Sequence, residues 1–397
     1  MKAQSRKTFR VFGEAFLPRG TEEARPKKKA AKPPKVGEPV ESWAWTPHDP
    51  AGAAAISRDT KFAYPEAIET NYSPDQTRQD VVLVFSYGWG TKTLLDAFDA
   101  ADIGYFYCDF DEFTARGKVE VSLEDGASYL LSLGEAKLDL RDVAVVIWTP
   151  PEHMFAEPDR DVGCFLYIHR WRQLLRDLRG LIRKDALWLP SHPLNGSPEW
   201  QNKFSELAIA KNEGLAVPET LCTNDPKAAL AFAKRWPGQV MFREYSRAAP
   251  MFPLIFLKEK PRLADFKDLR MSPCMFQRYV EKEFEVRAVL LGDQVFACRI
   301  DSQASDKASV DWRVYDNARV RWERMDLPEG VRDALLRIAT RLDLAFGSFD
   351  LIRAKDGKYY FLEVNRPGAT YWLLPFVGLD ISKEIVAHIA RFLSARV

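Results

Sequence analysis

Cysteine, histidine and long apolar runs are all scarce in this sequence. The five cysteines are an odd number and no two have C-x-x-C spacing, so they indicate neither a disulfide framework nor a zinc site. The five histidines are scattered and suggest no metal site or catalytic triad. No apolar run approaches the roughly 18 residues of a membrane-spanning helix, and the basic N-terminus lacks the apolar segment of a secretory signal. We therefore predict a cytoplasmic protein that does not enter a membrane.

Positive charge is concentrated at one end of the chain. Residues 1–36 carry eleven Lys or Arg and three Glu, a net charge of +8, within a chain whose net charge is +1. The remainder therefore has a net charge of −7, and nothing in it indicates a nucleic-acid groove. At 397 residues, with 46% apolar and 12% aromatic residues, the chain is long enough for two or three domains with a large core.

Composition separates an N-terminal extension, residues 1–79, from the rest of the chain. The extension begins with a basic segment that includes a Pro-, Lys- and Ala-rich linker over residues 25–40, which has little to bury. An aromatic segment follows over residues 41–79. We expect this segment to pack on the first domain. The alternative is that it acts as a built-in leader, a substrate or an autoinhibitory plug at the chain's own active site.

The pattern of apolar residues changes near residue 191. Before it, strands and helices alternate, which predicts an open α/β domain over residues 80–190. Gly88-Trp89-Gly90 is interpreted there as a strand-to-helix turn, because its spacing is not that of a phosphate loop. After it, the elements are grouped, as in α+β domains. Strands are predicted at 81–85, 105–110, 119–122, 143–148, 239–243, 254–257, 274–280, 285–291 and 294–300, and residues 186–190 are expected to close the first domain. Helices are predicted at 93–100, 167–182, 204–213, from 226 onward and at 331–342.

A hairpin near the C-terminus carries the most specific pattern. Two runs with period-two alternation flank Asp356-Gly357, a strong hairpin signal. If these two residues form the loop, Ile352 faces Phe361 and Asp350 lies opposite Glu363. Like charges directly across a hairpin destabilise it, so replacing either carboxylate is expected to relieve repulsion. The chain must either leave the pair exposed or neutralise it with a cation.

Asn365 is expected on the same strand face as Glu363, because side chains two residues apart point the same way. With Asp350 they form a set of two carboxylates and an amide. All three are oxygen donors, which suit Mg²⁺ better than a metal that prefers thiolates. The alternative interpretation is an ordinary surface hairpin with solvated charges.

Five stretches together resemble ATP-grasp ligases, in that family's order and spacing: WQNKFSELAIAKNEGLAVPETLCTNDPKAA, FQRYVEKEFEVRAVLLGDQVFACRIDSQ, VDWRVYD, LAFGSFDLI and YYFLEVN. The resemblance covers about residues 190–397. It is strongest to the peptide maturases of microviridin-type graspetides, which in turn resemble the ribosomal-protein glutamate ligases. It implies an open α/β pre-ATP-grasp domain followed by a two-lobed ATP-grasp domain, with a small lobe over 191–272 and a C-terminal lobe containing the metal site over 273–397.

This resemblance implies an ADP-forming ligase that activates a carboxylate as an acyl phosphate. Its cofactors would be ATP and Mg²⁺, and its partner would be a peptide substrate with leader and core segments. The metal would be held by Asp350, Glu363 and Asn365 and would bridge the β- and γ-phosphates. Lys203 would contact phosphate oxygens as a point charge.

The remaining site residues are implied by the same resemblance. The backbone of Gln277, Arg278, Tyr279 and Val280 is expected to read the adenine edge. Glu285 is expected to accept hydrogen bonds from the ribose hydroxyls. The candidate catalytic residues, expected to contact the transferring phosphoryl group, are Arg287 and Arg313. A guanidinium suits an acyl phosphate because it binds bidentately.

Three positions depart from the family pattern. Arg243 stands where the family has a lysine, and the two side chains are not equivalent. Residues 244–253 contain no glycine, although related enzymes often close a Gly-rich flap over the phosphates. Arg366-Pro367-Gly368 replaces the Asn-Gly-containing run common in graspetide enzymes, so the acceptor site is expected to differ.

Several functions are compatible with this pattern. The first is crosslinking of Asp or Glu side chains to Lys, Ser or Thr within a ribosomally made peptide, by an enzyme that forms a homodimer. The second is ligation of a free amino acid to a protein tail or small acid. The third, from another class, is a non-catalytic nucleotide-binding adaptor whose basic tail contacts nucleic acid or an acidic partner, although a nucleic-acid partner is not expected.

Overall fold

The computed structural model describes most of the chain from residue 80 onward. The described residues are 16–18, 80–86, 91–109, 113, 117–123, 128–149, 162–191, 203–243, 255–306, 308–312, 319–366, 368 and 370–396. They form two compact units. The first contains the described parts of 1–57, 218–284 and 300–321, and the second those of 58–217, 285–299 and 322–397.

The elements are numbered in chain order. The strands are β1 (Phe16–Pro18), β2 (Val81–Ser86), β3 (Tyr105–Asp109), β4 (Lys118–Ser122), β5 (Ser128–Leu133), β6 (Ala136–Asp139), β7 (Val143–Thr149), β8 (Leu187–Leu189), β9 (Thr220–Thr223), β10 (Val240–Arg243), β11 (Ile255–Leu257), β12 (Cys274–Arg278), β13 (Lys282–Leu291), β14 (Gln294–Ile300), β15 (Trp322–Met325), β16 (Phe346–Ala354) and β17 (Tyr359–Asn365). The α-helices are α1 (Thr91–Ala100), α2 (Val162–Arg179), α3 (Lys203–Asn212), α4 (Pro226–Arg235), α5 (Glu329–Arg341), α6 (Leu373–Val377) and α7 (Ile381–Ser394). Short 3₁₀ helices cover Leu140–Asp142, Leu263–Met271 and Ser302–Ala304.

The alternating elements after residue 80 form a parallel sheet in the second unit, with the order β3-β2-β7-β8. The side chains of β2 and nearly all those of β7 are buried. Continuous apolar runs of this kind are typical of parallel strands covered on both faces. The predicted open α/β layer is therefore confirmed. Between β3 and β7 along the chain, the strands β4, β5 and β6 form a separate antiparallel sheet. Of these three strands, only β4 was predicted.

The first unit contains an antiparallel sheet with the order β1-β11-β10-β12-β9. Helix α4 begins as its sequence predicts, with Pro226 in its first turn and the Asp225 side chain accepting from the Lys227 backbone N–H at 3.0 Å. Phe266 and Phe276 are fully buried in the core of this unit. The three-residue strand β1 is the part of the N-terminal extension that the structure describes.

The second unit also carries the sheet that holds the predicted metal site, with the order β15-β14-β13-β16-β17. Helix α5 precedes β16 and buries Leu335 and Ile338, as its apolar stripe predicts. Helix α7 closes the chain and buries Ile385 and Ile389. The described elements form a mixed α/β architecture, in which β13 is the neighbour of β16 and β16 is the neighbour of β17.

The hairpin of β16 and β17 has a more complex register than the sequence predicts. Its loop contains three residues, 355–357, because the Ala354 N–H donates to the Lys358 carbonyl at 2.9 Å. Ile352 therefore faces Tyr360 and not Phe361, so this part of the predicted register is wrong. A β-bulge in β17 then adds one residue and restores the predicted pairing of Asp350 with Glu363. The loop and the bulge offset each other.

Several sequence-based predictions lie outside the described residues. These are the Gly88-Trp89-Gly90 turn, residues 244–253, Arg313, Pro367 and the N-terminal extension apart from β1. Among the residues that the structure does describe, no helix is both long and apolar enough to span a membrane.

The hairpin turn provides a direct test of the conformation assigned to Gly357. Gly357 has φ of +86°, a conformation that a side chain disfavours by about 1–2 kcal/mol. We expect Gly357→Ala to lower the free energy of unfolding by about that amount in urea denaturation. Gly330→Ala is the matched control, because Gly330 lies in helix α5 with no atom within 4 Å of an added Cβ. It should stabilise the protein by about 0.4–1 kcal/mol. Equal effects of the two substitutions would contradict the turn assignment.

Candidate functional site

Two carboxylates and an amide meet on the β16–β17 hairpin. Asp350 and Glu363 are opposite each other, and Asn365 lies opposite Ser348. The Asn365 amide nitrogen donates to Asp350 Oδ2 at 3.0 Å, which leaves the amide oxygen as the group of Asn365 with metal-ligating chemistry. The side chains of Asp350 and Glu363 are only 17% and 15% exposed. The structure thus brings the three predicted metal ligands together in a partly buried place.

Each carboxylate has a cationic partner from another element. Arg287 on β13 donates from Nη1 to Asp350 Oδ1 at 2.7 Å, and Lys203 at the start of α3 places Nζ 3.4 Å from Glu363 Oε2. These contacts offset the repulsion between the two carboxylates. Removing either carboxylate would therefore relieve this repulsion but would also break an ion pair, and the ion pair opposes the expected gain in stability.

The carbonyl of Gly368 is held from two sides, just beyond β17. Arg287 donates to it from Nη2 at 2.7 Å, and the buried Ser348 hydroxyl donates at 2.6 Å. Gly368 has φ of +89°, and a Cβ added there would lie 2.6 Å from the Phe346 ring. Arg287 therefore ties the Asp350 carboxylate to the segment that follows the hairpin.

A third ion pair in this region, between Glu206 and Arg366, was not predicted. Glu206 in the first turn of α3 is fully buried, and its Oε1 lies 3.8 Å from Arg366 Nη2. Arg366, which follows β17 directly, is 4% exposed. The signal for this pair is the charge order in the two segments, Lys-x-x-Glu at Lys203 and Glu-x-x-Arg at Glu363.

Other polar side chains surround Arg287. Glu285 lies two residues before it on β13 and is 6% exposed, so the two side chains point to the same face. Burial raises the pKa of the Tyr371 phenol to about 12, and the nearby Arg287 charge only partly opposes this shift. Tyr371 is therefore a neutral hydroxyl at physiological pH.

The predicted adenine-reading segment lies in the first unit. The Gln277 side chain is buried and donates to Thr220 Oγ1 at 3.0 Å. The backbone N–H of Arg278 donates to the Glu219 carbonyl at 2.9 Å, and that of Tyr279 to the Gln239 carbonyl at 2.6 Å. These two N–H groups therefore belong to backbone contacts within the unit.

The other predicted residues of the first unit have separate surroundings. Val280 is buried, directly after Tyr279. Arg243 ends β10 opposite Met275 of β12 and is half-buried. The buried Lys282 donates to the Val310 carbonyl at 2.8 Å, and so fastens the loop that leads towards Arg313. Arg313 itself is not among the described residues.

The donor set is compatible with Mg²⁺ held jointly with phosphates. The described residues contain no group of three or more His, Cys, Asp or Glu that could hold a metal by themselves. Asp350 and Glu363 supply two carboxylates, with the amide of Asn365 beside them. Mg²⁺ is usually bound by one or two carboxylates plus substrate phosphates, so these residues fit such an ion.

The ion pairs predict how each carboxylate affects stability without ligand. Asp350→Ala should lower the free energy of unfolding by about 3 kcal/mol, because it leaves the buried Arg287 guanidinium without this carboxylate. Glu363→Ala should cost about 1 kcal/mol or less, since the contact of Glu363 with Lys203 is longer than that of Asp350 with Arg287 and its cation is more exposed to solvent. Urea denaturation in chelator measures both.

Asp333→Ala is the control for these two variants. It removes an ion pair with Arg332 on the exposed surface of α5, where the two side chains are 41% and 52% exposed. This change should cost no more than about 0.5 kcal/mol. If Asp350→Ala were as stable as the wild-type protein, or more stable, repulsion between the carboxylates would dominate and the ion-pair account would be wrong.

Comparisons with known proteins identify the fold. No family model and no curated protein sequence matches this chain. Among solved structures, it is similar to the macrocyclase MdnC bound with precursor peptide MdnA from Microcystis aeruginosa, with 24% identity over 78% of this chain and 99% of that one, and a TM-score of 0.66. It is also similar to a RiPP-associated ATP-grasp ligase of Chryseobacterium gregarium in complex with ADP and a leader and core peptide, with 23% identity over 79% of this chain and 97% of that one, and a TM-score of 0.64.

A third similar structure is the ATP-grasp ligase PsnB complexed with a phosphomimetic variant of its minimal precursor, Mg and ADP. It has 20% identity over 79% of this chain and 98% of that one, with a TM-score of 0.60. Likeness at this level of identity concerns the fold. The chain has the fold of the ATP-grasp ligases.

Proposed function

We propose that this chain is an ADP-forming ligase that crosslinks side chains of a ribosomally made peptide. The observation that carries the proposal is the cluster of Asp350, Glu363 and Asn365 with Arg287 and Lys203 on an ATP-grasp fold. The comparisons support it, because the similar structures include a macrocyclase with its precursor peptide and ligases with ADP, Mg and peptide.

The proposed reaction has two steps. The γ-phosphoryl group of ATP passes to an Asp or Glu carboxylate of the peptide, which gives an acyl phosphate and ADP. A Lys amine or a Ser or Thr hydroxyl of the same peptide then attacks the acyl carbon, and inorganic phosphate leaves. The peptide loses one water for each amide or ester formed. The protein contributes position and charge neutralisation.

The charged residues have separate roles in this proposal. Asp350, Glu363 and Asn365 would hold Mg²⁺, which neutralises phosphate charge when bound. Lys203 contacts the phosphates as a point charge, and Arg287 and Arg313 stabilise charge on the transferring phosphoryl group. Arg287 also keeps Asp350 in place, since its Nη1 donates to the Asp350 carboxylate while its Nη2 donates to the Gly368 carbonyl.

The remaining assignments concern the nucleoside and one further phosphate contact. Glu285 is proposed to accept from the ribose hydroxyls, and Arg243 to replace the family lysine at the phosphates. Residues 277–280 are proposed to contact adenine. Of their N–H groups, we assign the one that donates to adenine to Val280, because those of Arg278 and Tyr279 make backbone contacts within the unit.

The proposal also includes the domain organisation. In this proposal, residues 1–79 form the extension and residues 80–190 form the pre-ATP-grasp domain. A two-lobed ATP-grasp domain follows, with its small lobe over residues 191–272 and its C-terminal lobe over residues 273–397. We propose that the enzyme acts in the cytoplasm as a homodimer. Size-exclusion chromatography with light scattering tests the homodimer.

Intact-mass analysis tests the function. The protein, ATP, Mg²⁺ and a precursor peptide with acidic, hydroxyl and amine side chains should give ADP and a peptide lighter by one water per bond. Glu363→Gln should reduce ADP formation by about 10²–10³-fold, because it removes one charged ligand while retaining its shape. The control is Glu323→Gln, an exposed carboxylate on β15, which should leave the rate unchanged.

Other outcomes of the same experiment identify the alternatives. A product heavier than the substrate by one amino-acid residue indicates ligation of a free amino acid. If no ADP and no ligated product form, and the protein instead binds nucleic acid with an affinity that falls steeply with salt, the result indicates the adaptor. Full activity of Glu363→Gln would overturn the metal-ligand assignment.

Arg243 tests whether β10 contacts the nucleotide. We expect Arg243→Ala to weaken ATP binding by about 1.5–3 kcal/mol, the contribution of a hydrogen bond to a charged group. Arg243→Lys should retain or improve the affinity, because the family has lysine there. Isothermal titration calorimetry measures both. Arg270→Ala, at an exposed position of the 3₁₀ helix Leu263–Met271, is the control. Unchanged affinity in Arg243→Ala would mean that β10 does not touch phosphate.

A further inference from the structure

Helix α3 and strand β17 are joined by two ion pairs of opposite direction. Lys203 of the helix lies 3.4 Å from Glu363 of the strand, while Glu206 of the helix lies 3.8 Å from Arg366 just past the strand. Residues three apart on a helix share a face, so Lys203 and Glu206 both point at β17. We call these four residues the reciprocal clamp.

The inner pair of the clamp, Glu206 with Arg366, is buried more deeply than the outer pair, Lys203 with Glu363. Glu206 is 0% exposed and Arg366 5% exposed in their side chains, whereas Lys203 and Glu363 are each 15% exposed. A buried ion pair adds little net stability, because desolvation offsets the attraction, and a well-packed apolar pair often replaces it without loss. The Glu206–Arg366 contact is therefore better explained by what it positions than by the stability that it contributes.

The outer pair needs such positioning. A lysine at the first turn of a helix is disfavoured by the helix dipole, whereas Glu206 in that turn is favoured. The far end of α3 is already fixed, because the carbonyl of Ala216, four residues beyond the helix, accepts from the Phe361 N–H of β17 at 2.8 Å. The Glu206–Arg366 pair fixes the near end, which carries Lys203.

We propose that Glu206 and Arg366 are positioning residues that hold the Lys203 ammonium beside the Glu363 carboxylate, and thereby set the affinity for the nucleotide phosphates. This inference rests on the proposed function, since it takes Lys203 and Glu363 as parts of the nucleotide site.

A double variant separates positioning from stability. Glu206→Leu with Arg366→Met replaces the buried ion pair by two apolar side chains, so the urea midpoint should stay close to that of the wild-type protein. Titration calorimetry with ADP and Mg²⁺ should nevertheless show binding weakened by about tenfold or more, the scale of loss from misplacing a contact group. A double variant with wild-type stability and wild-type affinity would overturn the proposal.

Lys203→Met identifies the residue through which the pair acts. In the wild-type background it should weaken binding of ADP with Mg²⁺, and in the double-variant background it should have a clearly smaller effect, because Lys203 is already misplaced there. Such non-additivity is expected for residues in one network and not for independent ones. Fully additive losses would show that Glu206 and Arg366 do not act through Lys203, and would contradict the proposal.

Two further variants complete the design. Arg337→Met removes a contact with Glu213, directly after α3, where the arginine side chain is 54% exposed. It should change neither stability nor affinity appreciably. If the double variant does not fold, Glu206→Asp replaces it, because it retains the charge but withdraws the carboxylate by one methylene. It should weaken ADP binding with Mg²⁺ at least about threefold, and unchanged affinity would overturn the proposal.

The wild-type protein separates this inference from the function on which it rests. If the wild-type protein does not bind ADP with Mg²⁺, the proposed function fails, and the clamp's role in nucleotide binding fails with it. If the wild-type protein binds and the double variant binds equally well, the proposed function stands and only the role of Glu206 and Arg366 is refuted.

Discussion

The structure of this site depends on two carboxylates that face each other across a hairpin. Asp350 and Glu363 are directly opposite, which is unfavourable unless positive charge lies nearby. Arg287 arrives from the adjacent strand and Lys203 from helix α3, each to one carboxylate. Under the proposed function, a divalent cation and the phosphates that accompany it would neutralise the same two carboxylates.

Much of the surrounding backbone maintains this arrangement. The bulge in β17 brings Glu363 opposite Asp350 despite the three-residue loop. Gly368 accepts from both Arg287 and Ser348 because its positive φ lets the chain turn there. Local sequence, hairpin geometry and long-range ion pairs therefore all support the same cluster. Such consistency across levels is what specifies a single structure.

Sequence reasoning succeeded where the signal is local. The Asp-Gly hairpin, the capped start of α4 and the buried strand at residues 81–85 each follow from a few neighbouring residues. The pairing of Asp350 with Glu363 was right, although two offsetting irregularities produce it, and Ile352 facing Phe361 was wrong.

Sequence reasoning was less complete where contacts join distant segments. No local pattern indicates that Arg287 binds Asp350, 63 residues later. Arg366 looked like a departure from a family pattern, and the complementary charge order of α3 and β17 identifies Glu206 as its partner only when the two elements are known to be adjacent. Periodicity predicts which elements form, but contacts between elements depend on how they pack.

In the proposed function, Asp350, Glu363 and Asn365 form the metal side of a nucleotide site. Anomalous scattering from crystals grown with ADP and Mn²⁺ tests it most directly, because Mn²⁺ replaces Mg²⁺ and can be located independently of the ligands. We expect a peak about 2.1 Å from oxygens of all three residues. A peak away from this hairpin, or a nucleotide bound while Arg287 and Lys203 remain the partners of the two carboxylates and no metal is present, would contradict it.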